Sequence, residues 1–261
     1  MKTQTFLFVA VLQASPGFAE SPLLSLPSFP DFVMVGVGAG PQYIGSDDQV
    51  WAAAPAGQWG FGHRYVSLQA NYLNVNLIND PNWSAGPAGI LRFGRTDVED
   101  DAVDALPEIP MSIGLGAFVG YSFAGGEDPR NRWRIGAGVL QDATSPDQGF
   151  VADVNVRRWL PVGEHAAMGI GLASSWASED YMDTYFSIDS SGAAASGLPV
   201  YSAGEGWRDV RLTALFVQPV SRKWAIGTGF MYSYLLDDAA GSGVVRTRDQ
   251  VYAGVGLARL W

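Results

Sequence analysis

The sequence predicts an all-β chain, an antiparallel transmembrane β-barrel of about 12 strands with long external loops. Three observations carry that expectation. Apolar residues recur with period two over stretches of strand length. The connections between those stretches alternate between short and long. Aromatic residues gather near strand ends, and the final residue, Trp261, is itself aromatic.

The alternation is clearest in the middle and at the end of the chain. Ile113, Leu115, Ala117, Val119, Tyr121 and Phe123 fall on one face, with Gly114, Gly116, Phe118, Gly120 and Ser122 on the other. Val210, Leu212, Ala214 and Phe216 alternate with Asp209, Arg211, Thr213 and Leu215. Trp224, Ile226, Phe230, Tyr232 and Tyr234 alternate with Ala225, Gly227, Gly229 and Ser233. Successive strand side chains point to opposite faces, so each segment has one apolar face and one of small or polar residues. A soluble sandwich turns its second face to water and charges it. Here that face is mostly Gly, Ala and Ser, which suits a narrow lumen behind a lipid-facing wall.

Short connections are expected near 59–63, 79–83, 124–130, 159–164 and 218–222. Long ones are expected near 41–48, 96–110, 141–148, 177–206 and 236–247. Outer-membrane barrels have short turns on one side and long loops on the other, with an even number of strands. Eleven segments are obvious, and residues 64–78 supply a twelfth if they form a hairpin turning at Ala70 and Asn71. Trp133, Trp159, Trp176, Trp207, Trp224, Tyr121 and Tyr234 are expected in the interfacial aromatic girdles. Arg259 interrupts the lipid-facing row of the last strand, where it can snorkel to water.

Composition narrows the class. Charged residues make up 16% of the 261, below the quarter or so of an ordinary soluble domain, while Gly reaches 32. The formal charge is −10, and the lack of a basic stripe argues against nucleic acid as a partner. With no Cys there is no disulfide framework, thiolate metal site or lipid-anchored cysteine. Lys2, the apolar run Phe6 to Leu12 and the small-residue site ending at Ala19 read as a signal peptide over 1–19, leaving 20–261 as the barrel.

Several segments together resemble the MipA/OmpV family of MltA-interacting outer-membrane proteins. They are "GAGPQYIGSDDQVWAAAPAGQW", "GPAGILRFGR", "MSIGLGAFVGYSF", "SWASEDYMDTYFSI", "SGLPVYSAGEGWRDVRL" and "KWAIGTGFMYSYLLDDAAGSGVV", in this order along most of the chain. "YIGSDD" and the block "SEDYMDTYF … SGLPVYSAGEGWRDV" are the most specific. The resemblance implies a barrel in the cell outer membrane of a Gram-negative bacterium. It also implies a non-enzymatic scaffold role in peptidoglycan synthesis and remodelling. The implied partners are outer-membrane lipid and lipopolysaccharide, a lytic transglycosylase and a bifunctional penicillin-binding protein. A porin-like diffusion channel is the alternative, and a lipid-modifying barrel enzyme ranks below it.

Individual residues yield no catalytic, cofactor or metal site at this stage. His63 and His165 fall in short turns, and neither has a Ser and an acid placed for a triad. Asp97, Glu99, Asp100, Asp101 and Asp104 form an acidic loop that reads as solvated rather than ligating. Ser46, Asp47 and Asp48 read as a structural turn. Glu179, Asp180 and Asp183, beside Tyr181, Tyr185 and Phe186, read as an ordered loop packed on the rim. Asp153, Asp209, Arg157 and Arg211 are expected to enter the lumen, either as salt bridges between adjacent strands or as a charged constriction. A narrow lumen can be plugged by the loop over 177–206. Gly36, Gly38 and Gly40 alternate as a strand's inner face requires and do not form a dinucleotide loop.

Overall fold

The computed structural model describes residues 31–145 and 148–261. The expected signal peptide over 1–19 lies outside the described residues. The chain forms twelve strands: β1 (Phe32–Pro41), β2 (Gln49–Phe61), β3 (Arg64–Gln69), β4 (Tyr72–Asn76), β5 (Trp83–Arg92), β6 (Ser112–Ala124), β7 (Arg132–Asp142), β8 (Phe150–Val162), β9 (Ala166–Ala177), β10 (Gly206–Pro219), β11 (Trp224–Leu235) and β12 (Asp249–Leu260). Each pairs antiparallel with its neighbours in sequence, and β1 closes the barrel on β12, from Phe32↔Leu260 to Ala39↔Ala253. Closure leaves no unpaired edge, the condition for placing strands in hydrocarbon.

The alternation read from the sequence is the observed inside and outside. Val35 (65% exposed), Leu115, Val154, Leu212, Val255 and Leu257 stand outward, whereas Ser112, Ser122, Asp153, Arg211 and Ser233 are buried. The hairpin over 64–78 turns at Ala70 and Asn71. Ala70 takes φ +51° and donates its N–H to Pro55 O at 2.7 Å. The β4–β5 ladder holds only from Tyr72↔Ile90 to Asn74↔Ala88 and stops at Pro87, which has no N–H to donate. Below that point Leu77 N donates to Ala85 O at 2.9 Å, and beside this bond the Asn76 amide helps hold the two segments together. Its Oδ1 accepts from Ala85 N (3.0 Å) and Ile78 N (3.1 Å), and its Nδ2 donates to His63 O (2.8 Å).

Aromatic residues mark both rims. At the short-turn end Trp83, Tyr121, Phe123 and Trp133 run in a chain with ring centroids 4.8, 6.1 and 6.5 Å apart. At the long-loop end Phe150 and Trp176 pair at 5.6 Å. Arg259 lies at the short-turn rim with its guanidinium 5.2 Å from the Trp224 ring. One expected girdle member is elsewhere. Trp159 is 3% exposed and points into the lumen, because β8 turns Val151, Asp153, Arg157 and Trp159 to the same side.

The long connections fold into a lid. They carry α1 (Asp101–Asp104), α2 (Glu179–Phe186), α3 (Ser190–Ser196) and α4 (Asp237–Gly241). Tyr181, Met182, Phe186, Ala203 and Ala239 form one apolar core with Ile109. Tyr43, Val103, Leu106, Ile188 and Val244 form a second. The loop over 177–206 therefore packs across the mouth as expected, with α2 as its centre.

Candidate functional site in the barrel lumen

Every second strand residue faces inward except at a bulge in β10, so sequence position sets most of the lumen wall. The wall has two halves. From β3 to β10 it carries buried Ser67, Asn74, Arg92, Arg134, Asp153, Arg157 and Arg211. From β10 through β12 to β1 and β2 it carries Leu215, Val217, Ala225, Ala258, Phe32, Met34 and Ala56. Among the described strand residues, buried charges number five Arg (92, 134, 157, 208, 211) against three Asp (142, 153, 209).

Inward glycines make room for the arginines of neighbouring strands. A Cβ on Gly114 would stand 2.7 Å from Arg92 Nη1. One on Gly120 would stand 2.6 Å from Arg134 Nη2, and one on Gly171 would stand 3.2 Å from Arg157 Nε and 2.7 Å from Thr213 Oγ1. The glycine-rich strands are therefore the surfaces on which long cationic side chains lie.

The charges form three groups. At the loop end Arg92 Nη1 faces Asp142 Oδ2 at 3.4 Å, and Asp142 also accepts from Ser112 Oγ and from Ser145 N. A β-bulge between Trp207 and Asp209 brings both Arg208 and Asp209 inward. Arg208 Nη2 pairs with Asp209 Oδ2 at 2.6 Å, and Arg211 Nε stands 3.0 Å from Asp209 Oδ1. These pairs run along β10. The expected bridge between adjacent strands is not how Asp209 and Arg211 meet, because the bulge offers Asp209 two arginines of its own strand. The third group is a like-charged pair. Arg134 and Arg157 are directly opposite in the β7–β8 register, and both are buried. Arg134 Nη2 donates to Ser84 Oγ at 2.9 Å and reaches Tyr65 OH at 3.5 Å. Neither the alternation nor the spacing singled out Arg134, although its place on the inward face of β7 was readable.

Both ends of the lumen are filled. Above, α2 lowers Tyr181 onto the polar belt, where Arg208 Nη1 donates to its hydroxyl at 2.8 Å and the Arg208 and Arg92 guanidinium groups stand 5.3 and 5.7 Å from its ring. Below, Phe32, Trp159, Ala167, Ala225 and Ala258 pack together with Met34, Leu215 and Val217. A cavity of about 150 Å3 opens along the apolar half-wall beside this lower layer, lined by Phe32, Met34, Leu215, Ala225, Met231 and Ala258, with Thr213 and Gln69 at its polar border.

The remaining sequence candidates take structural places. Asp100 caps α1, accepting from Ala102 N and Val103 N, and receives Arg246 through Nε and Nη2 at 2.6 and 2.7 Å. That fork holds the Asp100 carboxyl below the usual carboxylate range. Asp104 accepts from Val98 N, and Ser46 Oγ accepts from Asp48 N. Ser178 caps α2, placing Glu179 and Asp180 in its first turn. Burial pushes the Tyr43 hydroxyl up to about 12, and it donates to Val244 O inside the lid. His63 lies in the β2–β3 turn. His165 lies in the β8–β9 turn, 3.8 Å from Glu164.

The family model described as MltA-interacting protein MipA matches residues 33–261. The chain belongs to the MltA-interacting protein family. None of the curated proteins matches it. Among solved structures, a NanC porin in a rhombohedral crystal form is 10% identical with a TM-score of 0.45, over 88% of this chain and all of that one. OprB of Pseudomonas putida at high pH is 11% identical with a TM-score of 0.46, over 89% and 94%. An outer membrane channel from Pseudomonas putida F1 is 11% identical with a TM-score of 0.45, over 89% and 96%. The family assignment rests on the sequence match, and the barrel on the closed ladder described above.

Proposed function

We propose that this family member is a non-enzymatic barrel of the Gram-negative outer membrane, exported by a signal peptide over 1–19. In this reading it serves as a scaffold in peptidoglycan remodelling, engaging a lytic transglycosylase at its short-turn end. The observation that carries this reading is the filled interior. A folded lid above and a packed apolar layer below leave the barrel's surfaces as the part that meets other molecules. The short-turn end is pre-ordered for contact. Arg130 joins Asp128 at 2.7 Å and also donates to Ala166 O and Gly163 O of the β8–β9 turn, so two turns are fixed to each other. Rigid surfaces lose less entropy on binding.

Fractionation of the envelope followed by pull-down in detergent tests the reading, with the transglycosylase as bait. Recovery from the outer membrane, a mature chain beginning at Glu20 and enrichment over an unrelated barrel are the expected results. Enrichment no greater than that of the unrelated barrel removes the partner. A second reading, a gated diffusion channel, is favoured by the arginine-rich half-wall, because a charged belt is how pores select solutes.

A further inference from the structure

We propose that the outer wall beside the β10–β11 turn holds one anionic phospholipid, its phosphate met by Arg259, Arg222 and Lys223. The inference rests on the outer-membrane reading and not on the scaffold role.

The first ground is where Arg259 stands. It faces outward with Val255 and Leu257, each about half exposed, while its neighbour Ala258 is buried. A charge facing hydrocarbon is costly unless it reaches the interface. The register places Arg259 there, opposite Trp224 on β11 and Val33 on β1, and aromatic girdles lie at the level of the lipid headgroups. Its guanidinium, 5.2 Å from the Trp224 ring, lies against the wall. The next outward rung is Ile226, Leu257 and Val35, aliphatic and exposed across all three strands. Read upward from the rim, the wall offers a cation and a ring and then hydrocarbon, which is the order of a phospholipid's own headgroup and tail.

The second ground is charge without a partner. Arg222 and Lys223 are exposed in the turn that leads into Trp224. Val220 N and Ser221 N both donate to Trp224 O, and Leu260 N donates to Lys223 O at 2.9 Å, so the turn and the end of β12 are fixed to each other. The side chains of Arg222, Lys223 and Arg259 make no ion pair and no hydrogen bond among the described residues. Other arginines of this rim are engaged. Arg64 Nε donates to Leu77 O, Arg132 Nη2 to Pro81 O and Arg158 Nη2 to Asn131 Oδ1, while Arg130 pairs with Asp128. Asp31, whose O accepts from Trp261 N, turns its carboxylate to Gly60 N of β2 at 2.8 Å. Three cations with no counter-charge suit a phosphodiester, whose free oxygens accept charge-assisted hydrogen bonds from guanidinium and ammonium groups. The outward face at girdle level lies against lipid, so the lipid and not a soluble acidic protein meets Arg259.

The test uses the full chain, purified from membranes in detergent. Phosphatidylglycerol and phosphatidylethanolamine with matched acyl chains are titrated separately, and native mass spectrometry counts the lipids bound. The first phosphatidylglycerol is expected to bind more tightly than the first phosphatidylethanolamine. Arg259→Gln or Lys223→Gln is expected to weaken it about fivefold, which is what one basic residue contributes beside an anionic bilayer surface. Arg64→Gln, which removes a charge from the same rim, is expected to leave it unchanged. Equal affinity for the two lipids overturns the proposal. So does a loss in Arg64→Gln as large as that in Arg259→Gln. Wild-type preference in a chain carrying both Arg259→Gln and Lys223→Gln, still migrating as a folded barrel before boiling, overturns it too. A chain that stays in solution without detergent removes the membrane reading and this inference with it, an outcome distinct from a detergent-bound barrel that shows no preference.

Discussion

Glycine at an inward position of this barrel is a spatial requirement set by another residue. Gly171 lies beneath Arg157 and Thr213, and Gly120 lies beneath Arg134, so any side chain there competes with a guanidinium for the same volume. Replacing Gly171 by Leu has to displace one of them, and overpacking of this kind costs about 1–3 kcal/mol. Gly206 provides the control, because a Cβ there meets nothing within 4 Å and its φ is unrestricted. Urea unfolding in detergent micelles should show a lowered midpoint for Gly171→Leu and an unmoved one for Gly206→Ala. The role of these glycines was only half legible in the sequence. Their period-two spacing marks an inner face, but which arginine lies over which glycine depends on the cross-strand register. The Trp159 error has the same character. Asp153, Arg157 and Trp159 share one parity, so placing the first two in the lumen already placed the third there, against the habit of assigning a strand-end Trp to a girdle.

At the scale of elements, two features hold parts of the molecule that strand pairing does not. The lid depends on Arg246, from the β11–β12 connection, gripping Asp100 at the start of α1. Because the folded carboxyl titrates below its unfolded value near 3.9, the contact contributes its full stability above that value and loses it as pH falls through the lowered one. Amide exchange at Ala102 and Val103, which Asp100 caps, should therefore accelerate on acidification below about pH 4. In Arg246→Ala it should already be fast at neutral pH. The second feature is the β4–β5 seam, where the regular ladder ends at Pro87 and Asn76 reinforces the main-chain bond from Leu77 N to Ala85 O. Asn76→Leu leaves Ala85 N and Ile78 N without their acceptor, a cost of about 1–3 kcal/mol for each that stays buried. Faster exchange confined to β4 and β5 is the expected signature. The sequence displayed the acidic run over 97–104 and the Asn but not their partners, since Arg246 lies 146 residues from Asp100. Strand count, hairpin and loop asymmetry were legible because they depend on local period and turn chemistry. The capping and seam roles depend on contacts that only closure of the barrel creates.

For the molecule as a whole, scaffold and channel make different demands on the same interior. A pore needs a continuous water path, and this barrel interrupts that path twice, at the lid core around Met182 and Phe186 and at the base around Phe32 and Trp159. The two blocks share β8 and β9 but sit at opposite ends of them, Val151 and Ala177 in the upper and Trp159 and Ala167 in the lower, with the polar belt between. Removing one is therefore not expected to open the barrel. In planar bilayers the intact chain should show no steady conductance, and a chain shortened across residues 178–205 should also remain closed at its base. Combining that deletion with Trp159→Ala removes the largest side chain of the lower layer, and stable conducting steps should then appear. They should favour anions, because the belt they expose carries five arginines against three aspartates. Steady conductance from the intact chain would reverse the order of the two functional readings, since the interior would then be a gated path and not a filled core. Silence from the doubly altered chain, if it still migrates as a folded barrel, would mean that the belt itself closes the lumen.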